Sequence, residues 1–272
     1  MAKKRDVYLL SNGQPITEGS VSELCGILSK PALVPWAAKC TVQALEELWQ
    51  PGQAYTAPYI TEALKNAKNA HRVAKDTAGD IGTRAHSIVG AYVEGQLLPE
   101  NVPDERERRC LENFINVTEG WKWLGSEITV VNEWCECGNN ESYQSHKNCT
   151  NMVKLSECPQ LCGYGGTADA FAQLPSGMYV LPDFKTSNSV QATYSMQCTL
   201  YAKATPVGDS VHLAELWKKI KEARILHLDK ELLTWECLER NIEEHVPFIP
   251  HFIGCRRWVK RFEKPSYSEY KK

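Results

Sequence analysis

Two acids and a lysine form the group of residues in this chain best equipped for chemistry. Asp169 lies in one half-apolar run, and Asp183 and Lys185 lie in the next run, beyond Pro175-Ser176-Gly177. A Pro-Ser-Gly turn between two such runs predicts a β-hairpin. Because Asp183 and Lys185 are two residues apart, their side chains should point to the same face of a strand. Two carboxylates can hold a divalent metal and the lysine can keep a cation beside an attacking water, which is the equipment for metal-dependent phosphodiester hydrolysis.

The order of these residues resembles the signature of a known nuclease superfamily. Asp169 followed by Asp183-Phe184-Lys185 resembles the D…(D/E)-x-K pattern of PD-(D/E)XK nucleases, and the surrounding GTAD…DFKTS is similar to their RecB-like branch, which includes phage exonucleases. Gly82-Thr83-Arg84-Ala85-His86 resembles the upstream G-x-x-x-H element of that branch, and Gln197-Cys198-Thr199-Leu200-Tyr201 resembles its Q-x-x-x-Y motif. The D-x-K pattern alone is weak, whereas its order with the other elements is much more specific.

The resemblance implies a metal centre on the hairpin. It makes Asp169, Asp183 and the backbone carbonyl of Phe184 ligands of Mg²⁺ or Mn²⁺, which prefer oxygen donors. Lys185 would stabilise the hydroxide nucleophile or the charge that develops on phosphate. His86 would add a nitrogen ligand, which suits Mn²⁺ better than Mg²⁺.

The resemblance also places Gln197 and Tyr201 beside the site as residues that contact the DNA strand. They are four residues apart, so they share one face of a helix. The alternative is an ordinary pair on a helix surface.

A glutamate from the preceding strand often accompanies such a site in this superfamily. Glu127, Glu133 and Glu136 compete for that place. We expect Glu133 to fill it as a catalytic residue, because it follows an apolar run that is typical of a strand. The alternative for Glu133 is a surface charge on the strand.

A Cys-rich insertion at 134–163 departs from the simple family pattern, in which a short turn links these strands. It is polar and has few apolar residues with which to build a core, so a structural Zn²⁺ would supply the missing folding energy. The candidate ligands are Cys135, Cys137, Cys158 and Cys162, with Cys149 and His146 in reserve. Their C-x-C and C-x₃-C spacings differ from the common C-x₂-C, and a loop of metal-free thiols is the alternative.

Composition is that of an ordinary globular protein. Of 272 residues, 43% are apolar and 24% are charged, and the net charge is −2. We expect a single domain over 1–272, with an N-terminal helical segment at 1–53. No apolar run approaches the 18 residues of a membrane span, and the basic start lacks an apolar signal core, so we expect no membrane association. A basic cluster at Arg256–Lys264, which contains two aromatic residues, is the best candidate for a surface that tracks phosphates.

The pattern of elements predicts an α/β fold, with helices flanking a small mixed sheet. This agrees with the restriction-endonuclease-like core that the resemblance implies. Apolar spacing predicts helices near 58–78 and 83–95, broken at Gly79 and Gly82. Pro247 and Pro250 should interrupt the last helical stretch.

The resemblance therefore implies a Mg²⁺- or Mn²⁺-dependent exonuclease that degrades linear DNA from free ends. It would serve recombination, repair or DNA processing in the cytoplasm of a bacterium or a phage-infected host, with a recombination protein as a candidate partner. No oligomeric state is predicted. The first alternative is a structure-specific or restriction-type endonuclease on the same core, and the second is a non-catalytic DNA-binding module that contains zinc.

Overall fold

The computed structural model describes residues 8–28, 33–135, 158, 160–187, 189–229 and 232–262. The chain divides into two compact units, one formed by Met1–Leu28 with Ile88–Lys272 and the other by Ser29–Ser87. The first 53 residues, which we expected to form one N-terminal segment, are therefore shared between the two units.

The helices of the first 120 residues are α1 (Val21–Cys25), α2 (Leu33–Glu46), α3 (Ala57–Val93) and α4 (Glu105–Val117). The predicted break at Gly79 and Gly82 is wrong, because α3 is one continuous helix across both glycines. A glycine inside a helix costs about 1 kcal/mol relative to alanine, and long helical stretches on either side offset that cost. Among the described residues, no helix combines the length and apolar content that crossing a membrane would require.

Three further helices follow the central strands, α5 (Ala192–Ala202), α6 (Ala214–Trp217) and α7 (Ile249–Phe262). The predicted interruption is confirmed at Pro247, which lies in a short 3₁₀ turn at Val246–Phe248. It is wrong at Pro250, which is the second residue of α7 and does not break that helix. Proline is tolerated there because the first turn of a helix has no partner for its N–H groups.

A seven-stranded sheet forms the centre of the first unit, and the predicted α/β class is confirmed. Its strands are β1 (Gly19–Ser20), β2 (Lys122–Cys135), β3 (Leu161–Gln173), β4 (Tyr179–Lys185), β5 (Thr205–Pro206), β6 (Glu222–Asp229) and β7 (Thr234–Asn241). The order is β5-β2-β3-β4-β6-β7, and β1 pairs with β3. The pairs β1–β3 and β4–β6 are parallel, and the others are antiparallel.

The predicted hairpin is formed by β3 and β4. Its turn closes through the N–H of Leu174, which donates to the carbonyl of Met178 at 2.9 Å. Gly177 has a φ of +86°, a left-handed conformation that glycine adopts without strain. The Pro-Ser-Gly sequence was therefore a reliable signal for this turn.

Helix α5 packs closely on β3 because a glycine faces it. Gly166 is buried, and a Cβ atom added there would lie 2.6 Å from Cε1 of Tyr201 and 3.1 Å from Cγ2 of Val21. The missing side chain lets Tyr201 of α5 and Val21 of α1 lie directly against the sheet. Both residues belong to the main hydrophobic core.

Helix α7 is fastened to the N-terminal segment through its basic residues. Arg257 donates two hydrogen bonds to Glu18, at 2.9 and 2.7 Å, and Glu18 is only 4% exposed. Lys260 donates to the carbonyl of Thr17 at 3.0 Å. Two residues of the basic cluster predicted to track phosphates, Arg257 and Lys260, therefore form contacts within the protein. Lys264 of that cluster lies outside the described residues.

We predict that Gly166→Ala lowers the free energy of unfolding by about 1–3 kcal/mol, because the added methyl group overpacks the core against Tyr201. Urea denaturation measures the change. Gly254→Ala is the matched control: it lies on α7, and its added Cβ meets no atom within 4 Å. That substitution should raise stability by about 0.5–1 kcal/mol through better helix propensity. A neutral Gly166→Ala would contradict the packing of Tyr201 on β3.

Candidate active site

The hairpin brings Asp169 close to Asp183. The β3–β4 ladder pairs Ala172 with Val180, and the same register continued along the strands sets Asp169 opposite Asp183. At that point the carboxylate of Asp169 accepts the backbone N–H of Phe184 at 2.7 Å. A side chain of β3 thus takes a hydrogen bond from β4, which fixes the Asp169 carboxylate beside Asp183.

Asp183 and Lys185 form a buried ion pair. The Lys185 Nζ atom lies 2.6 Å from Oδ2 of Asp183, so the two side chains share one face of β4 as their spacing predicts. The Asp183 side chain is 0% exposed and that of Lys185 is 14% exposed. Such burial makes the pair strongly interdependent, since either charge alone would be costly at this depth.

The electrostatics of the three residues differ. Burial raises the pKa of Asp169, and the negative charge of Glu127 adds to this rise. The charge of Lys185 and the hydrogen bond from the Phe184 N–H oppose the rise. Burial alone would lower the pKa of Lys185, but the carboxylates of Asp183 and Asp169 outweigh burial and raise that pKa above its usual value. Lys185 is therefore an ammonium at neutral pH, and its chemistry is that of a fixed positive charge.

One face of α5 lies against the three charged residues. It carries Tyr194, Gln197, Cys198 and Tyr201, which follow the i, i+3, i+4, i+7 spacing of a helix face. Lys185 Nζ lies 5.1 Å from the centre of the Tyr194 ring. Burial raises the pKa of Cys198, and the carboxylate of Asp183 raises it further. The Q-x-x-x-Y motif indicated Gln197 and Tyr201 only, and the same helical spacing would have added Tyr194 and Cys198.

Gln197 and Tyr201 are bonded to each other, since Nε2 of Gln197 donates to the Tyr201 hydroxyl at 3.1 Å. Tyr201 is only 4% exposed, and burial raises its pKa. Gln197 is half-buried, so it is the member of the pair that can present a polar atom to a ligand. Tyr201 fixes the orientation of that amide.

The glutamate whose charge acts on Asp169 is Glu127, and Glu133 lies elsewhere on β2. Glu133 pairs with Gly163 and accepts the backbone N–H of Ser11. It is six residues beyond Glu127, which at 3.3 Å per residue is about 20 Å along the strand. Glu127 is exposed, and its charge acts on Asp169. Its φ of +46° is left-handed, a conformation that costs a non-glycine residue about 1–2 kcal/mol.

The remaining predicted ligands are placed as follows. His86 is on α3 in the unit Ser29–Ser87, and its role as a metal ligand stays a prediction. Cys135 is part of a disulfide in this structure, so its sulfur is not available there as a thiolate ligand for zinc. Its Sγ atom lies 3.0 Å from that of Cys158, and Cys162 is on β3 opposite Trp134. Cys137 lies outside the described residues, as do the reserve ligands Cys149 and His146.

The donors at the hairpin suit a hard cation held by few protein ligands. Within the parts of the chain that the structure describes, no group of three or more His, Cys, Asp or Glu side chains is arranged to hold a metal ion. Mg²⁺ commonly binds through one or two carboxylates and keeps several waters. Asp169 and Asp183 meet that requirement, and a cation beside them would offset the burial that raises the pKa of Asp169.

Comparisons with known proteins do not identify a family. No family model matches the chain, and no curated protein matches it. A solved crystal structure of a protein named SSO0001 is 13% identical to this chain, with a TM-score of 0.33 over 85% of this chain and 88% of that one. A likeness this weak indicates neither the fold nor the activity of this chain.

We predict that Glu127→Gln lowers the pKa of Asp169. Burial is the main cause of the raised pKa and persists in the variant, but the negative charge of Glu127 that adds to it is removed. Carboxyl-carbon NMR titration of the metal-free protein measures the shift. Glu133→Gln is the control and should leave the Asp169 pKa unchanged. An equal shift in both variants would remove the distinction between the two glutamates.

Proposed function

We propose that this chain is a Mg²⁺- or Mn²⁺-dependent nuclease that hydrolyses phosphodiester bonds in DNA, and specifically an exonuclease. The observation that carries the proposal is the meeting of two carboxylates and one ammonium on a single hairpin. The Asp169 carboxylate is held by the Phe184 N–H at 2.7 Å, and Lys185 lies 2.6 Å from Asp183. The D…D-x-K resemblance adds the substrate class to this geometry.

Asp169, Asp183 and the backbone carbonyl of Phe184 would hold the cation. When bound, Mg²⁺ or Mn²⁺ acts as a Lewis acid on a phosphoryl oxygen and lowers the pKa of a bound water. The protein supplies fixed donors that need no rearrangement, because Asp169 already has its orientation from the Phe184 N–H. Glu127 would add a further negative charge at the exposed side of the site.

Lys185 would act through its charge. Its raised pKa makes it a poor proton acceptor at neutral pH, so a role as general base is disfavoured. An ammonium beside the carboxylates can stabilise a hydroxide or the negative charge that grows on phosphate. Fixed charges of this kind contribute most when they are held in place in a site with little water.

Helix α5 would contact the substrate strand through Gln197. The amide is half-buried and is oriented by the buried hydroxyl of Tyr201. The resemblance of this pair to the Q-x-x-x-Y motif of exonucleases favours action at the free ends of linear DNA. A bacterial or phage-infected cytoplasm is the setting that the resemblance implies.

Two other functions remain as alternatives. An endonuclease would use the same Asp169, Asp183 and Lys185 but would not need a DNA end. A non-catalytic DNA-binding module that contains zinc would need none of the three. Burying two acids and a lysine together is energetically demanding. A catalytic site needs these buried charges, whereas a DNA-binding module does not need them. Their presence therefore favours an enzyme.

We predict that Asp183→Asn and Lys185→Ala each lower the DNA hydrolysis rate by about 10²-fold or more, since each removes a fixed charge from the reacting centre. Release of acid-soluble nucleotides with Mn²⁺ measures the rate, and circular dichroism checks the fold. Lys218→Ala is the control, because its side chain is 67% exposed and pairs with nearby Glu215. Nuclease rates like those of the wild type in the folded variants would refute the proposed site.

We also predict that linear duplex DNA is degraded much faster than a closed circle of the same sequence. The reason is the exonuclease-like pair on α5, Gln197 and Tyr201. Gel analysis over time with Mg²⁺ or Mn²⁺, and with chelator as the control, separates the alternatives. Equal attack on circular and linear DNA would point to the endonuclease, and binding without cleavage would point to the non-catalytic module.

A further inference from the structure

Lys185 has an aromatic neighbour in addition to Asp183. Its Nζ atom lies 5.1 Å from the centre of the Tyr194 ring, within the range of a cation–π interaction. Tyr194 is in the first turn of α5, and its ring is partly buried against the main core. The ring is therefore held by packing and not by Lys185 alone.

The hydroxyl of Tyr194 reaches the residue where β4 has just ended. It donates to Oγ of Ser187 at 2.8 Å, and Ser187 Oγ in turn donates to the carbonyl of Ser189 at 2.7 Å. Ser187 follows Lys185 by two residues. Tyr194 thus contacts the lysine with its ring and the following turn with its hydroxyl.

His227 holds the same turn from the other side. It is the partner of Lys185 in the parallel β4–β6 ladder. Its Nε2 lies 2.6 Å from the carbonyl oxygen of Ser187, so this nitrogen must be the donor because a carbonyl can only accept. Its Nδ1 lies 2.9 Å from a carboxylate oxygen of Glu236 on β7, which is also an acceptor, so the imidazolium form of the ring satisfies both contacts.

We propose that Tyr194 and His227 are positioning residues that set the direction of the Lys185 side chain. Together they hold Ser187 at two atoms, and the Tyr194 ring lies against the ammonium. The inference rests on the proposed function, in which Asp183 is also a metal ligand. An oxygen that binds a cation has less charge to share with Lys185, whereas the Tyr194 ring takes no part in metal binding. The ring can therefore keep the ammonium in place whether or not a metal is bound.

The first test measures Lys185 itself in metal-free protein. An amine-reactive ester is added, and mass spectrometry follows the modification rate of each lysine. Loss of the ring in Tyr194→Leu should raise the rate at Lys185 about fivefold, on the scale of one cation–π contact. Tyr194→Phe keeps the ring and should restore a rate near that of the wild type.

The matched control is Tyr179, the first residue of β4. The centre of its ring lies 5.6 Å from Nζ of Lys219. Tyr179→Leu removes the ring beside Lys219, which is already exposed, and should leave the Lys185 rate unchanged. An unchanged Lys185 rate in Tyr194→Leu would overturn the proposal. If Tyr194→Leu does not fold, Tyr194→Phe combined with His227→Ala decides, since it removes both hydrogen bonds to Ser187. A Lys185 rate like that of the wild type in the double variant would then overturn it.

The second test uses nuclease kinetics. A displaced Lys185 should lower kcat in Tyr194→Leu about tenfold, because misplacement of a catalytic group by a fraction of an ångström is costly, and should leave the KM for DNA within about twofold. Tyr194→Phe should recover most of kcat. A raised KM with unchanged kcat would mean that Tyr194 contacts the substrate, and would overturn a positioning role. If the wild type cleaves no DNA, the proposed function fails, and the modification rates still decide whether Tyr194 and His227 position Lys185.

Discussion

The buried pair of Asp183 and Lys185 is the constraint on which the rest of the site depends. An isolated charge at that depth would cost several kcal/mol, so each residue requires the other and both require ordered neighbours. The 2.6 Å contact between them meets the first requirement. The second is met by Asp169, whose carboxylate also acts on Lys185, and by the Tyr194 ring. Strands and helix around the pair are arranged to keep these neighbours close.

The fold achieves this through one short hairpin and one closely packed helix. The β3–β4 turn fixes which residues face each other, and the Phe184 N–H fixes the Asp169 carboxylate. Gly166 leaves space on β3 for α5, which brings its polar face onto the charged residues. Helix α1 contacts both β3 and α5, and a Cβ added at Gly166 would lie 3.1 Å from Cγ2 of Val21. The bidentate pair of Arg257 with Glu18 holds the segment just before α1.

Local patterns in the sequence predicted the parts of the site that depend on local geometry. A separation of two residues placed Asp183 and Lys185 on one strand face, and Pro-Ser-Gly located the turn. The identity of the glutamate beside Asp169 depended on the register between β2 and β3, which the sequence pattern does not reveal. The β2–β3 ladder pairs Ile128 with Ala168 and Glu133 with Gly163, so the residue next to Asp169 is Glu127. The apolar run after Glu127 carries no information about that register and was a misleading guide to Glu133. The pairing of α7 with Glu18 joins residues far apart in the chain, and no periodicity signals such a contact.

The two ends of the site have different physical characters, and this difference is what the proposed chemistry requires. Asp183 and Lys185 are shielded from water, so their fields are strong and their positions are fixed. Glu127 is exposed and Gln197 is half-buried. In the proposed function, a DNA strand and a cation would enter at this end of the site. Under the proposed function, Asp169 and Asp183 would hold the cation, and Lys185 would supply a fixed positive charge to the same site. Phosphate, which is repelled by the acids alone, would meet a compensating positive charge. In the proposed nuclease, the buried lysine would thus allow an acidic centre to accept a negatively charged substrate.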